Sequence, residues 1–365
     1  MLDSFSKLLN GEQPEKIVWT ADISYWIAAR QQDGTADPSW KTEEGYLRLH
    51  AELGIMPYYY YDKFWVADPV YDDTIFLNTI SNGNLSERVL ETPFGTLREE
   101  SAFMPESCCH GITQHMVTTP EDMDVLLYIL EHRKLRPTNL DNYRSRTEMW
   151  KPYNGIPCLA MPRSPLSALC YEWIGIQNLV YLFMDCSDKI KKAMRLLEEQ
   201  EEPILTAVCE LAPSLVHFPD NLSSDNLTSY YDDYMREGHQ RRIERLHASG
   251  VKCAVHLDGT VKGLLPKLTD CGFDAIEALT PQPGGDLPVS EMRNVADNEK
   301  VILWGGVPGI MFAPSYTWQN MKSHVEHVID CWEGQPFILG VADQVPPDGD
   351  IEMVRKISEL IKKAR

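Results

Sequence analysis

The sequence predicts one α/β domain: a single (β/α)8 TIM barrel of eight parallel strands, with a hairpin and helical excursion in its N-terminal half. Three observations predict it. Short, near-continuous apolar runs recur eight times along the 365 residues, as expected of strands buried on both faces. Amphipathic stretches with helical spacing lie between them, which implies right-handed βαβ units. No Gly/Ser linker, short repeat or low-complexity segment divides the chain, so residues 1–365 read as one barrel although the length permits two domains.

The eight runs, in order, are Lys16–Asp22, Ile55–Asp62, Ile156–Arg163 and Leu215–Asp220, then Cys253–Asp258, Asp274–Thr280, Val301–Val307 and Pro336–Asp343. Helical patterns follow several of them. Ser187–Leu211 places Ile190, Met194, Leu197 and Ile204 on one side, and Leu227–Ser249 stops at Gly250. Ile351–Ala364 repeats the pattern with Met353, Val354, Ile357, Leu360 and Ile361. One segment breaks the rhythm. Asp72–Met104 carries turn signals at Asn82-Gly83-Asn84 and Pro93-Phe94-Gly95 between β-prone stretches, which reads as hairpins. With the helical region Thr118–Asp141 it predicts an inserted side wall or lid over residues 72–141.

Composition narrows the function. Thirty-four basic against 54 acidic residues leave a formal charge of −20, which argues against nucleic acid and an anionic membrane as partners. No apolar run approaches the roughly 18 residues of a membrane-spanning helix, and the first residues show no signal-peptide pattern. Nine scattered cysteines without a CxxC motif read as reduced thiols. The expectation is a soluble cytoplasmic enzyme acting on a small molecule.

In a barrel of this class chemistry gathers at the carboxyl ends of the strands. The residues there are Asp22, Asp62, Arg163, Asp220, His256 with Asp258, Glu277, the Gly305-Gly306 pair and Asp343. A buried charge costs several kcal/mol unless it is paired or coordinated, so their recurrence at one level predicts a shared polar site. Each Asp could equally cap the following helix. His256, Asp258, Glu277 and Asp343 form an N/O donor set suited to Zn²⁺ or a similar divalent ion. Without an ion, crowded carboxylates would raise one another's pKa and make one a proton donor. Spacing does not choose between the two. Asp220 and Glu277 are candidate catalytic carboxylates, and Asp22 and Arg163 candidate substrate contacts. Trp26 and Trp65 would wall the pocket. If Tyr58–Tyr61 is a strand, at most two of its four rings face the barrel.

From about residue 155 onward, and more loosely before it, the chain resembles the uroporphyrinogen decarboxylase superfamily. The carrying segments are Arg163 to Tyr171 (RSPLSALCY), His256 to Gly259 (HLDG), Gly272 to Glu277 (GFDAIE), Trp304 to Val307 (WGGV) and Asp343 to Asp348 (DQVPPD). That superfamily, a (β/α)8 fold, includes corrinoid-dependent (cobalamin) methyltransferases acting on methanol, methylamines, methylthiols and methoxylated aromatics. The resemblance implies that Asp62 and Tyr171, which match a strand-two Asp and a Tyr after strand three, orient substrate or donate a proton. The porphyrinogen-clamping arginines after the first strand are absent from Asp22 to Trp26 (DISYW). In the methyltransferases zinc is held by His-x-Cys and a later Cys. His256 matches the first ligand, and Asp258 and Asp343 stand where the cysteines would be, a harder set suited to an oxygen ligand. The resemblance therefore implies transfer of a methyl group from a small O-methyl substrate to a corrinoid carried by a separate protein. The alternative it implies is decarboxylation of a small carboxylated substrate by general-acid catalysis. A barrel that only binds a ligand is a third reading.

Overall fold

The computed structural model describes residues 1–363; Ala364, the last residue of the expected C-terminal helix, lies outside them. Among the described residues, thirteen strands form three sheets. In chain order they are β1 (Trp19–Thr20), β2 (Ala67–Tyr71), β3 (Phe76–Asn82), β4 (Leu85–Thr92), β5 (Gly95–Met104), β6 (Cys109–Gln114) and β7 (Arg133–Pro137). There follow β8 (Leu159–Ala160), β9 (Leu215–Leu222), β10 (Lys252–Leu257), β11 (Ala275–Leu279), β12 (Ile302–Pro308) and β13 (Phe337–Ala342).

The large sheet has seven strands in the order β1-β13-β12-β11-β10-β9-β8, and every pairing in it is parallel. It is a curled, TIM-like sheet with helices between successive strands. Every residue of β11 and β12 is buried, which is why these runs read as unbroken apolar sequence with no polar face.

The second expected run, Ile55–Asp62, forms no strand. Residues 56–64 nonetheless bond to both edges of the sheet. Met56 N–H donates to Trp19 of β1 (2.9 Å), Cys158, just before β8, donates to the Tyr58 carbonyl (2.6 Å), and Ala160 of β8 donates to the Phe64 carbonyl (2.8 Å). Pro57 lacks a donor, and Tyr61–Lys63 coils into a 3-10 turn, so no regular ladder develops. Two expected helical segments also differ. Leu227–Ser249 is two helices, Ser224–Tyr234 and Arg236–Ala248, broken at the non-helical Met235, and of Thr118–Asp141 only Pro120–Glu131 is helix, Arg133–Pro137 being strand β7. The helix expected over Ser187–Leu211 is present: Ile176–Leu211 is two helices joined at the non-helical Cys186, the second ending at Leu211.

Between residues 66 and 137, β2 and β7 pair antiparallel, and β3 to β6 form a four-stranded antiparallel sheet. Gly83 sits at φ +61° in the β3–β4 turn, as a two-residue hairpin loop requires. The helix Pro120–Glu131 starts in a capping box made by Thr119 and Asp122 and packs Leu126, Ile129 and Leu130 into the common core. Gly305 has a structural reason of its own: a Cβ there would stand 2.5 Å from the Leu279 carbonyl oxygen, where the β11–β12 register shifts. No helix among the described residues is long and apolar enough to cross a membrane.

Candidate active site

Three neighbouring strands of the large sheet carry the central side chains: His217 on β9, His256 on β10 and Glu277 on β11. His256 lies opposite Glu277 in the β10–β11 register. His217 lies opposite Ala254, two residues earlier, and reaches Glu277 across the intervening strand. Glu277 Oε2 accepts hydrogen bonds from His256 Nδ1 (2.7 Å) and His217 Nε2 (3.0 Å), while Oε1 accepts from the Tyr58 hydroxyl (2.8 Å).

Burial alone would raise the pKa of Glu277, but the facing His256 and His217 overturn it and hold the carboxyl well below its usual range. Burial likewise opposes charge on His256. The adjacent Glu277, helped by Asp258 and Asp343, wins and pushes the imidazole up to about 10. The pair is therefore an imidazolium–carboxylate at neutral pH. His256 Nε2 lies 3.8 Å from Asp258 Oδ1. Asp343 behaves differently: burial, with the crowding of Asp258, Asp22 and Glu277, lifts it to about 6 against the pull of His256. Its backbone is left-handed, φ +64°.

These groups face a cavity of about 300 Å³, the scale of a small-molecule site. Arg163, His256, Asp258, Glu277, Asp343 and Trp65, all expected site residues, line it. So do His217, Asn221, Tyr25, Tyr59, Tyr61 and Phe64, which sequence reasoning did not select for the site. His217 was legible in principle: β9 sends His217, Pro219 and Asn221 to the cavity, the period-two alternation of a strand. Three rings of the tyrosine run reach the site, Tyr59 and Tyr61 along its wall and Tyr58 through Glu277, because the segment is not a strand and does not alternate.

The other expected residues lie elsewhere. Asp220, of opposite parity on β9, points outward, accepting from His239 Nε2 and the Ser164 amide, both at 2.7 Å. Burial opposes its charge, yet those bonds hold it down at about 2. Asp22 is buried behind the cavity wall, accepting from the Ser24 amide at 2.8 Å and from the Tyr59 hydroxyl, and burial raises its pKa. Asp62 is exposed on the 3-10 turn. Trp26 is buried against Trp40, ring centroids 5.6 Å apart. Tyr171 lines a separate side chamber.

Among the described residues, two groups bring three potential metal ligands within 4.8 Å of one another: His217, His256 and Glu277, and His247, Cys253 and Asp274. The first lies on the cavity. Asp258 and Asp343, expected as ligands, border the same space but stand outside that tight cluster. The donor set of two imidazoles and a carboxylate fits a borderline divalent ion. The second group already binds Lys252 through Asp274 at 2.9 Å.

Residues 106–364 match the family model described as uroporphyrinogen decarboxylase (URO-D). The chain belongs to the uroporphyrinogen decarboxylase family. No curated protein matches it. Among solved structures it is similar to a methyltransferase from Methanosarcina mazei, at 13% identity and a TM-score of 0.62, with 99% of this chain and 97% of that one covered. A B12-independent methionine synthase from Shewanella sp., in complex with selenomethionine, aligns at 12% identity and a TM-score of 0.44, covering 63% and 69% of the two chains. The first likeness, end to end, is one of fold, and the family membership makes the chain uroporphyrinogen decarboxylase-like.

Proposed function

We propose that the protein transfers a methyl group from the oxygen of a small methyl ether or related substrate to a corrinoid on a separate protein. The supporting observation is the His256 imidazole, fixed by Glu277 at 2.7 Å on a small cavity walled by Phe64, Trp65, Tyr25 and Tyr61; with its pKa pushed up to about 10 by that carboxylate, it serves as a proton donor. The aromatic wall takes the apolar body of the substrate. With Nδ1 committed to Glu277, Nε2–H is the remaining donor, and it protonates the oxygen as the methyl leaves toward the corrinoid cobalt. The products are an alcohol and a methylated corrinoid, so one proton is consumed per transfer. Tyr58 and His217 hold Glu277 in place.

His217, His256 and Glu277 would hold a divalent cation such as Zn²⁺, with Asp258 and Asp343 as neighbouring oxygens. Such an ion would supply Lewis-acid stabilisation of the leaving oxygen. Its entry would expel the proton shared by His256 and Glu277. In this reading the segment 56–64 stands in for the second strand and completes an eight-membered barrel, with residues 72–141 as an inserted side wall, in a cytoplasmic setting.

The test is metal analysis of the purified protein together with a methyl-transfer assay, using reduced cobalamin and a panel of small methyl ethers. Methylated cobalamin, lost in His256→Ala, is the expected result. Absence of transfer from every donor, with or without added Zn²⁺, would overturn the reading.

A second reading rests on Arg163, which lines the same cavity as His256. A substrate carboxylate held there would place its α-carbon near the imidazolium, which would protonate that carbon as CO₂ leaves. Carbon dioxide release without any corrinoid distinguishes it.

A further inference from the structure

Beside the site, and sharing the walls Trp65 and Arg163 with it, lies a second cavity of about 430 Å³. It forms where the additional sheets meet the large one: Arg88 and Glu99 come from β4 and β5, Arg133 from β7, and Glu201 from the helix Ile176–Leu211. In a chain of net charge −20, this chamber is not acidic. Its ionic lining is three arginines, Arg88, Arg133 and Arg163, and three glutamates, Glu99, Glu172 and Glu201.

Each glutamate has a basic partner within ion-pair distance: Glu99 has Arg88 at 3.2 Å, Glu172 has Arg163 at 3.0 Å, and Glu201 faces Arg242 Nε at 3.2 Å. Both Glu201 oxygens nonetheless lack a hydrogen bond, and burial lifts its carboxyl to about 7, so it adds little fixed negative charge to the chamber. That leaves Arg133. Only 8% exposed, its Nε donates to Gln200 at 2.9 Å, and its guanidinium stacks 5.4 Å from the Trp173 ring centroid. The Tyr71 hydroxyl is beside it, and Glu172 is near enough to be felt. Among the described residues, no carboxylate lies within ion-pair distance of Arg133. Arg88 Nε, Arg163 Nε and Trp173 Nε1 are buried donors without a hydrogen-bond partner. A buried cation and unsatisfied donors each cost free energy unless an acceptor fills the space.

We infer that this side chamber binds a small monocarboxylate with a flat apolar body, its carboxylate on Arg133 and its body against Trp173 and Tyr171. A carboxylate matches the guanidinium fork with two parallel hydrogen bonds, and one negative charge balances the one unpaired cation. A dication or a polyanion would leave charge unpaired. The shared wall of Trp65 and Arg163 makes the chamber an annex of the reaction cavity.

The test titrates the full-length protein with benzoate and with benzamide, which has the same shape but no charge, following tryptophan fluorescence and binding heat without any methyl donor or corrinoid. Benzoate should bind at least about tenfold more tightly than benzamide, and Arg133→Gln should erase that preference. Trp173→Phe, which keeps the cation, should remove most of the fluorescence change while retaining the binding heat. Equal affinity for the two ligands would overturn the proposal, as would unchanged benzoate binding in Arg133→Gln or an undiminished fluorescence change in Trp173→Phe.

Discussion

Glu277 Oε2 receives two imidazoles at once, His256 at 2.7 Å and His217 at 3.0 Å. One buried oxygen thus ties three strands of the sheet together. In the sequence Glu277 and His256 read as possible ligands of one ion; the geometry makes the carboxylate the reference point for both rings.

Replacing Glu277 by Gln should bring the His256 pKa down from about 10, because burial, no longer opposed by that anion, favours the neutral ring. NMR titration of the ring protons reads the change directly. The same variant should lose about 3–5 kcal/mol of stability, the cost of breaking a buried charge pair. A His256 titration unmoved by the substitution would contradict the assignment.

The wild-type protein should become less stable as pH rises from about 6.5 toward 10. A histidine whose folded pKa is raised adds stability that is complete below its unfolded pKa and vanishes as pH passes the folded value, here about 10. Denaturant melts across that range should slope downward in the wild type. They should be flatter in His256→Gln, which has no proton to lose.

Asp343→Asn should stabilise the protein at pH 7. The Asp343 carboxyl is raised from 3.8 to about 6, so the folded state binds its proton more tightly, and the stability this provides falls as pH climbs through 6. Removing the charge returns roughly 1–3 kcal/mol. Asn also tolerates the left-handed backbone at φ +64°, whereas Asp343→Ala should be less stable than Asp343→Asn. Thermal melts at pH 5 and pH 7 should show the Asn variant's advantage growing with pH.

Asp220→Asn should be felt in stability before chemistry. Its carboxylate fixes His239 and the Ser164 amide on the outer side of β9, and the variant should lose about 2–4 kcal/mol. Because the folded pKa is depressed to about 2, that contribution is whole above 3.8 and disappears as pH falls toward 2. A folded Asp220→Asn protein with unchanged melting would count against the structural role.

Much of this fold could be read from the runs of buried apolar residues, because a sheet covered on both faces leaves little choice of composition. Seven runs are strands. Ile55–Asp62 misled because its aromatic residues look β-prone while Pro57 and the turn at Tyr61–Lys63 prevent a ladder. Within the site, His256, Asp258, Glu277 and Asp343 were legible as strand-end residues, as were Arg163 and Trp65 near the ends of their runs. Asp220 reads as a site residue because it ends its run, yet it has the wrong parity, and alternation along β9 points to His217 instead. Whether Trp26 or Asp22 reaches the cavity depends on the packing of Trp40 and Tyr59, contacts between distant segments that no local pattern encodes. The same holds for the side chamber, whose charges come from elements far apart in the chain.

Residues 56–64 are fastened to their neighbours by isolated hydrogen bonds rather than a ladder, and the segment reaches Glu277 through the Tyr58 hydroxyl. Local breathing there would unclasp Tyr58 from the carboxylate while the ladders of β10 to β13 stay zipped. Lacking a ladder, the backbone amides of 56–64 should trade deuterium sooner than those of β12.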